Sequence, residues 1–281
     1  MGDLNPGLYV VATPIGNLGD LSPRAREVLR DAAVIAAEDT RTTGTLLRLA
    51  ESQARSLSLT EHNVQARIPE LLAAAETTPV ALVSDAGTPV VADPGARLVE
   101  AAHARGIPVF AVPGPSALAA AISVAGFEGT SVHFLGFLPR QAGERRERLR
   151  SAGTAASVLV FFESPNRLSA TLDAVAEVFG DPETVVCREL TKLHEEVARG
   201  PASELARRFE RTKGECTVVV RVPAREETDV EAVRQYMAEM QRAGARRSGA
   251  AAEAARRFRV AKDVAYALWK EENSSGRAML R

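Results

Sequence analysis

Side chains that can move a proton or hold a phosphate stand close together in the first quarter of the chain. Glu38, Asp39 and Arg41 lie within four consecutive positions, and His62 follows shortly after them. A carboxylate or a neutral imidazole can accept a proton from a hydroxyl nucleophile, and a guanidinium can hold a phosphate through two parallel hydrogen bonds. The same residues also suit a helix cap with an exposed ion pair and an ordinary surface histidine. We predict Glu38, Asp39, Arg41 and His62 as catalytic residues, and the identity of the base stays open.

Three loops rich in glycine and proline have the composition of ligand sites. The loop 13–20 matches neither the Walker sequence nor the dinucleotide fingerprint, so neither ATP nor NAD is indicated. The loop 84–95 combines two glycines, two prolines and two acids, which allow a ligand to approach the backbone and face a negative charge. In the loop 113–117, Ser116 is placed to cap a helix whose free N–H groups can receive a ligand. Taken singly, each loop also fits a plain turn or cap.

Alternating strand-like and helix-like segments predict the framework that positions these residues. The alternation indicates a doubly wound, mostly parallel sheet. Each polar or Gly/Pro-rich segment follows the carboxyl end of a predicted strand, which is the edge where open α/β sheets bind ligands. The predicted strands are 8–13, 34–38, 56–60, 80–85 and 108–112, and the predicted helices are 23–33, 43–50, 64–76 and 97–105.

The rest of the chain predicts a second α/β unit followed by a helical tail. From position 226 the sequence is rich in alanine and arginine and has no strand pattern. We predict an N-terminal α/β domain over 1–118, a second α/β domain over 119–224 and a helical domain over 225–281. The predicted elements of the second unit are strands 157–162, 184–188 and 216–222 with helices 167–179 and 202–209, and those of the tail are helices 248–258 and 261–270.

Composition limits the function classes. The net charge of −1 gives no general attraction to nucleic acid, so any RNA contact must come from local basic clusters. The longest apolar run, 117–125, is far shorter than the ~20 residues of a membrane span, and the N-terminus has no secretory signal, which predicts a soluble cytoplasmic protein. Cys187 and Cys216 lie in strand-like runs and predict buried reduced thiols. The four histidines form no ligand cluster, so no metal is expected.

A series of motifs spread over residues 8–222 resembles one known superfamily. In chain order they read VATPIGNLGDLS, EDTR, SDAGTPVVADPG, PGPSA, GFLPR, FESPNRL, RELTKLHEE and GE. This series is similar to the tetrapyrrole methylases and, within them, to the ribosomal RNA small subunit methyltransferase I family. The resemblance implies two α/β domains, the first with a mostly parallel sheet and the second with a mixed sheet, plus a small all-helical C-terminal appendage. It further implies a homodimer that uses S-adenosylmethionine to methylate the ribose 2′-oxygen of a cytidine near the decoding centre of small-subunit rRNA.

The resemblance also implies which residues contact the cofactor. Asp85 would lie at its amino-acid and sulfonium end, and Val90 would pack on it. Thr13 and Pro14 would wall it on the substrate side. The remaining contacts would come from the start of the helix after position 116 and from strand ends of the second domain that close the adenine side. These further residues are Ser116, Ala117, Phe162, Leu190 and Thr217.

Basic residues outside the first domain are predicted to bind the RNA. Lys192 is one candidate, and the tail resembles the family's helix-turn-helix-like appendage, which suits docking on the phosphate backbone. An Ala-rich solubilising hairpin is the alternative for the tail, and half of the arginine run 140–150 suits a solvated helix face. The predicted RNA-binding residues are Lys192, Arg246, Arg247, Arg256, Arg257 and Lys262.

Two other functions stay open at this point. A methylase on the same fold could act on a small tetrapyrrole or on a modified protein side chain. A ribosome-binding factor without catalytic activity would need no cofactor at all. The basic tail and the segment 38–41 favour the RNA methyltransferase.

Overall fold

The computed structural model describes residues 4–129, 131–223, 230–258, 260 and 262–275, with side chains up to position 269. The chain divides into two compact units, Met1–Pro223 and Ala224–Arg281. The first unit contains both β-sheets, and the second contains helices within the described ranges. The predicted division of the first unit into two domains at 118/119 remains a prediction.

The first sheet has five strands, and every neighbouring pair is parallel, which confirms the predicted parallel α/β layer. Its strands are β1 (Gly7–Val11), β2 (Val34–Ala37), β3 (Arg55–Ser58), β4 (Pro79–Val83) and β5 (Val109–Val112), in the order β3-β2-β4-β1-β5. The connecting helices are α1 (Pro23–Asp31), α2 (Thr40–Leu49), α3 (Val64–Ala75) and α4 (Ala96–Ala104). The connections reverse direction between β1 and β4, so the carboxyl ends of these two strands border the crevice where such sheets bind ligands.

Both faces of this sheet are covered, as a parallel sheet requires. Tyr9 and Val11 of β1 face the layer of α1 and α2, whereas Leu8 faces the layer of α3 and α4. Helix α1 begins as predicted, because Ser22 accepts the N–H of Ala25 and Pro23 occupies the first helical position. Helix α2 begins three residues before its predicted start, since Asp39 caps it.

The second sheet is mixed, as predicted. Its strands are β6 (Val132–Phe137), β7 (Val158–Glu163), β8 (Glu183–Arg188), β9 (Glu196–Pro201) and β10 (Cys216–Arg221), in the order β6-β7-β10-β8-β9. Only the β6–β7 pair is parallel, and the other three pairs are antiparallel. The helices of this region are α5 (Ala117–Ala125), α6 (Ala142–Ala152), α7 (Pro165–Phe179) and α8 (Ala202–Arg208).

Helix α5 connects the two sheets in the chain and packs on the second. Its buried Ala121 and Ala125 contact Val160 and Val219 on one face of that sheet, and Ile15 from the loop after β1 joins the same cluster. The opposite face packs against α6, α7 and α8 through a separate core around Phe161. The face that contacts α5 therefore also meets the loop after β1, which brings the second sheet to the ligand edge of the first.

The second unit has three helices in its described part, α9 (Val230–Arg242), α10 (Arg247–Arg257) and α11 (Lys262–Ser275). Small alanines let α10 pack closely, with Ala251 and Ala254 fully buried beside Val233. The predicted helices 248–258 and 261–270 correspond to α10 and α11. Positions 259 and 261 and the ends 225–229 and 276–281 of the predicted domain lie outside the described residues. Within the described ranges, none of the helices has the length and apolarity of a bilayer crossing.

Candidate active site

The loops after β1 and β4 are joined at the carboxyl edge of the first sheet. The N–H of Thr13 donates to Gly87 O at 2.8 Å, and the N–H of Gly87 donates to Thr13 O at 3.0 Å. The buried hydroxyl of Thr13 also donates to Ser84 O at 3.3 Å. Pro14 is buried beside this bridge. The structure therefore brings Thr13, Pro14 and the loop 84–95 together at the predicted edge.

The loop 84–95 has a strained backbone. Val90 and Ala92 have φ values of 73° and 69°, in a region that side chains other than glycine rarely adopt. Gly95, at φ 126°, also lacks room, because a Cβ there would lie 2.9 Å from Cδ2 of Leu82. Strain of this kind persists where the surrounding structure imposes it and is common at ligand sites. Val90, predicted to pack on the cofactor, is exposed.

Four acidic side chains gather at this edge and influence one another. Asp85 is exposed, and its Oδ1 accepts the N–H of Asp39 at 3.0 Å. Burial raises the pKa of Glu38, and the nearby charges of Asp85 and Asp93 add to the effect. Burial also raises the pKa of Asp93, although a hydrogen bond from Ser84 opposes the shift. Two carboxyl groups with raised pKa values among like charges at a ligand edge have the character of a functional site.

Glu38 and Asp39 are neighbours in sequence but differ in their chemistry. The hydrogen bonds from the Arg41 side chain and backbone lower the pKa of Asp39 to about 2. Asp39 caps α2 by accepting the N–H of Arg41 at 2.8 Å, and its other carboxylate oxygen pairs with the Arg41 guanidinium at 2.8 Å. The carboxylate of Glu38 has no hydrogen bond or ion pair with another described residue. Of the two predicted carboxylates, Glu38 is therefore the better proton acceptor.

Arg41 and His62 both lie at the solvent side of this edge. The Arg41 side chain is 90% exposed, so it can reach a ligand without leaving its ion pair with Asp39. His62 is exposed in the turn between β3 and α3, next to the strand that leads to Glu38. The structure places both near the acidic cluster without assigning them a role.

The start of α5 lies beside the loop after β4. Ser116 caps the helix as predicted and accepts the N–H of Ala119 at 3.4 Å. The hydroxyl of Thr88 donates to Pro115 O at 3.1 Å and joins the two loops. The ligand role predicted for Ser116 stays a prediction.

A small cavity lies between the loop after β1 and the second sheet. Three predicted cofactor residues, Ala117, Leu190 and Thr217, line it. The other lining residues, which were not predicted from the sequence, are Ile15, Cys187 and Glu215. Burial raises the pKa of Cys187 to about 12, so this thiol is a wall and not a nucleophile. The cavity has a volume of about 30 Å³, so it forms only part of the space that a nucleotide-sized ligand needs.

Cys216 and Phe162 lie close to this cavity in the second sheet. Both cysteines are buried free thiols, as predicted. Phe162, predicted on the adenine side, does not line the cavity and packs edge-to-face with Phe134, with ring centroids 4.9 Å apart.

Lys192 forms part of a group of contacts that we call the latch, which consists of Gly16, Asn17, Glu189, Thr191, Lys192 and Glu215. The Lys192 ammonium lies 2.9 Å from Glu189 and 2.7 Å from Glu215. Burial alone would lower the pKa of Lys192, but the hydrogen bonds with Glu215 and Glu189 outweigh burial and raise the pKa. The hydroxyl of Thr191 accepts the N–H of Asn17 at 3.1 Å. Lys192 was predicted to bind RNA, yet its charge is already balanced within the protein.

The basic residues of the helical unit fall into two groups. Arg247 donates to Tyr266 O at 3.1 Å and lies over the Tyr266 ring, and Arg257 lies over Tyr236. These two arginines therefore help to hold the unit together. Arg246, Arg256 and Lys262 are exposed, and Arg256 pairs with Glu253.

Two acids at the site were not among the predicted site residues. Asp93 lies in the same Gly/Pro-rich loop as Asp85, and its position in that loop was the available signal. Glu215 belongs to a short Gly-Glu motif and reaches the cavity only through folding. The described residues contain no group of three His, Cys, Asp or Glu side chains that could hold a metal ion.

Similarity to known proteins defines the class to which this fold belongs. Residues 7–206 match the family model of tetrapyrrole (corrin/porphyrin) methylases, which defines the class of protein. A solved structure of uroporphyrin-III C-methyltransferase from Thermus thermophilus, in complex with S-adenosylhomocysteine, shares the fold with a TM-score of 0.56 at 18% identity and covers 76% of this chain and 96% of that one.

Curated relatives narrow the class. A ribosomal RNA small subunit methyltransferase I from Thermotoga maritima is 49% identical over 76% of this chain and 97% of its own length. The ribosomal RNA small subunit methyltransferase I from Micromonospora olivasterospora is 45% identical over 76% of this chain and 69% of its own length. The chain belongs to the ribosomal RNA small subunit methyltransferase I family, and the predicted family and fold are confirmed.

Proposed function

We propose that this protein transfers a methyl group from S-adenosylmethionine to the ribose 2′-oxygen of a cytidine in small-subunit rRNA, near the decoding centre. The broader function, methylation of small-subunit rRNA with this cofactor, rests on the family membership. The observation that carries the proposal is the half-buried carboxylate of Glu38, whose pKa burial raises, within the acidic edge of the first sheet. We further propose a cytoplasmic homodimer.

The residues at the cleft fit a cationic nucleoside cofactor. S-adenosylmethionine supplies an electrophilic methyl group on a positively charged sulfur. Asp85 and Asp93 place negative charge where a sulfonium and an ammonium group would be stabilised. The apolar cavity with the Thr217 hydroxyl suits one edge of a flat base with exocyclic groups. The full proposed cofactor set is Thr13, Pro14, Asp85, Val90, Ser116, Ala117, Phe162, Leu190 and Thr217.

Glu38 is proposed as the base for the ribose hydroxyl. A protonated hydroxyl is a poor nucleophile, so a carboxylate that accepts its proton during methyl transfer raises the rate. Correct alignment of the hydroxyl with the methyl group supplies much of the remaining lowering of the activation barrier, and such alignment is worth about 7–11 kcal/mol in well-oriented systems. The exposed guanidinium of Arg41 is suited to hold a neighbouring phosphate, and Asp39 fixes its position. His62 is the alternative base.

The helical unit is proposed to dock the RNA rather than to serve chemistry. The Thermotoga relative is covered almost completely by 76% of this chain, so about a quarter of this chain has no counterpart in it. The transfer reaction therefore does not require every part of this chain, which fits an accessory role for the tail. Its proposed phosphate contacts are Arg246, Arg247, Arg256, Arg257 and Lys262, together with Lys192 from the first unit.

Removing residues 224–281 should raise the KM for small-subunit rRNA and leave the Kd for S-adenosylmethionine unchanged. Each lost phosphate contact should reduce the slope of log affinity against log salt by about 0.7–0.9. Filter binding at several salt concentrations and calorimetry with the cofactor measure the two effects. Arg246→Gln combined with Lys262→Gln in the full chain should reproduce part of the salt effect. Normal methylation by the truncated protein at raised salt would contradict the docking role.

The decisive experiment compares substrates. Purified protein with labelled S-adenosylmethionine should methylate small ribosomal subunits or their rRNA, and nucleoside mass spectrometry should find 2′-O-methylcytidine. Labelling of a porphyrinogen instead would support the tetrapyrrole alternative. Calorimetry that detects no cofactor binding would support a factor without catalytic activity, and a base-methylated product would overturn the 2′-oxygen assignment. Light scattering measures the oligomeric state.

A further inference from the structure

A row of side chains crosses one face of the second sheet from the cavity to the open edge. Cys187 of β8 and Thr217 of β10 are register partners, and Thr217 is also the register partner of Phe162 of β7. Phe162 in turn pairs with Phe137 at the end of β6. Cys187 and Thr217 line the cavity. Because strands lie about 4.8 Å apart, Phe137 is roughly 10 Å from the cavity wall at Thr217.

Phe137 ends this row as a large exposed aromatic side chain. It is 61% exposed, although phenylalanine is normally buried. Its ring packs edge-to-face on Phe162, with centroids 5.7 Å apart, and Phe162 packs edge-to-face on Phe134. The supported ring therefore presents an open face in a defined orientation.

The turn that follows Phe137 is held by two arginines that are partly or fully buried. Arg167 donates to Leu138 O at 2.7 Å, and Arg145, only 7% exposed, donates to Arg140 O at 3.2 Å. Buried Glu163 lies 3.1 Å from Arg167 and balances its charge. Burying cations is costly unless they are paired, so their use on one short turn indicates that its conformation matters.

The same turn presents a free cation. Arg140 is exposed, and its guanidinium has no hydrogen bond or ion pair with another described residue. An aromatic face and an arginine three residues apart on a rigid turn match the groups that bind single-stranded nucleic acid, where bases stack and cations contact phosphates.

We propose that Phe137 stacks on a base of the substrate RNA and that Arg140 contacts a phosphate beside it. This inference rests on the proposed function and adds a contact outside the cofactor cleft. The exposed and supported ring of Phe137 favours RNA as the occupant, because bases of single-stranded nucleic acid stack on such rings. The neighbouring free arginine adds charge complementarity to a phosphate.

The test compares variants in the full-length protein with small ribosomal subunits as substrate. Phe137→Ala should raise KM by about tenfold or more, in line with the usual effect of losing one stacked base, while the Kd for S-adenosylmethionine stays the same. Phe137→Trp should retain the wild-type KM, because an indole also stacks. Arg140→Gln should raise KM and weaken its dependence on salt. Leu193→Ala, which removes another exposed apolar side chain, is the matched control and should change nothing.

The outcomes separate this inference from the proposed function. If the wild type methylates the subunits and Phe137→Ala matches Leu193→Ala in KM, the stacking role is wrong while the function stands. If Phe137→Ala changes the oligomeric state in light scattering, the ring belongs to an interface between two copies, and the inference is also overturned. If the wild type methylates no rRNA, the proposed function fails and this inference fails with it.

Discussion

Replacing Glu38 with glutamine is expected to lower kcat by about 10²–10⁴-fold, the usual contribution of a general base. The amide keeps the size of the side chain but cannot accept the proton of the attacking hydroxyl. Cofactor affinity should change little, because Asp85 and Asp93 remain to face the positive charge. Single-turnover methylation with saturating S-adenosylmethionine and calorimetry measure the two quantities separately.

The pH dependence gives an independent readout of the same residue. Burial and the neighbouring acids raise the pKa of Glu38 above the usual 4.5. Activity should therefore rise with pH as this carboxyl loses its proton, and the midpoint of this rise should lie above pH 4.5. Glu38→Gln should remove this rise of activity with pH. Glu61→Gln removes another exposed charge that raises the pKa of Glu38 and is the control. It should retain most of kcat and the rise of activity with pH, with that rise moved to slightly lower pH.

A base other than Glu38 would give a different pattern. Unchanged kcat in Glu38→Gln with a large loss in His62→Ala would transfer the role to the imidazole. Loss of activity together with loss of cofactor affinity in Glu38→Gln would instead make Glu38 part of the cation site. Each pattern contradicts the assignment proposed for Glu38.

Stability should change in the opposite direction to activity in this variant. A raised carboxyl pKa means that the folded protein disfavours the charged form, so ionised Glu38 is destabilising at neutral pH. Glu38→Gln should therefore increase the free energy of unfolding modestly at pH 7. The difference in the free energy of unfolding between the variant and the wild type should vanish as pH falls below 4.5, because Glu38 is then protonated in both the folded and the unfolded state. Urea unfolding at pH 7 and pH 4 checks this sign.

The edge of the first sheet was predictable because its signals are local. Strand ends, glycine and proline mark the loops, and the rule that ligands bind at carboxyl ends then brings Thr13, Asp85 and Ser116 together. The motif series implied the second sheet and the cofactor. Local patterns also gave the caps, since Ser22 and Ser116 act on N–H groups three residues away.

The parts that escaped prediction depend on distant partners. Glu38 and Asp39 look alike in the sequence. Only the fold shows that Arg41 hydrogen-bonds to Asp39 and lowers its pKa, while burial raises the pKa of Glu38. Strand β9 lies at the edge of its sheet and contains charged residues, glycine and proline, so it lacks the alternation that predicts strands. Arg145 looked like one of several helix-surface arginines, yet it is buried beneath a turn.

Lys192 illustrates the same limit with a functional consequence. Its partner Glu215 lies 23 residues away in sequence, and Gly16 lies much further away. A methyl group at position 16 would overlap Cγ of Lys192 and would come within 3.0 Å of its Cε. Glycine at this position therefore allows the Lys192 stem to cross the loop after β1, so the latch closes beside the cavity that Ile15 and Leu190 line.

Gly16→Ala is accordingly expected to weaken binding of S-adenosylmethionine. Overpacking at such a contact costs about 1–3 kcal/mol, which corresponds to about 5- to 150-fold in Kd if the cost falls on the closed cleft. Asn17 should lose its hydrogen bond with Thr191 at the same time. Calorimetry of the full-length protein measures Kd, and thermal unfolding shows whether the fold is retained.

A double-mutant cycle identifies the cause. In a Lys192→Ala background the stem that clashes is absent, so Gly16→Ala should add little to the loss already caused by removing Lys192. Lys192→Met keeps the stem without the ion pairs and should remain sensitive to Gly16→Ala. Additive losses in the first cycle would show that Gly16 acts on the cofactor through its own loop and not through Lys192. Non-additive losses would show that Gly16 acts through the Lys192 stem, the contact that joins the loop after β1 to the second α/β region.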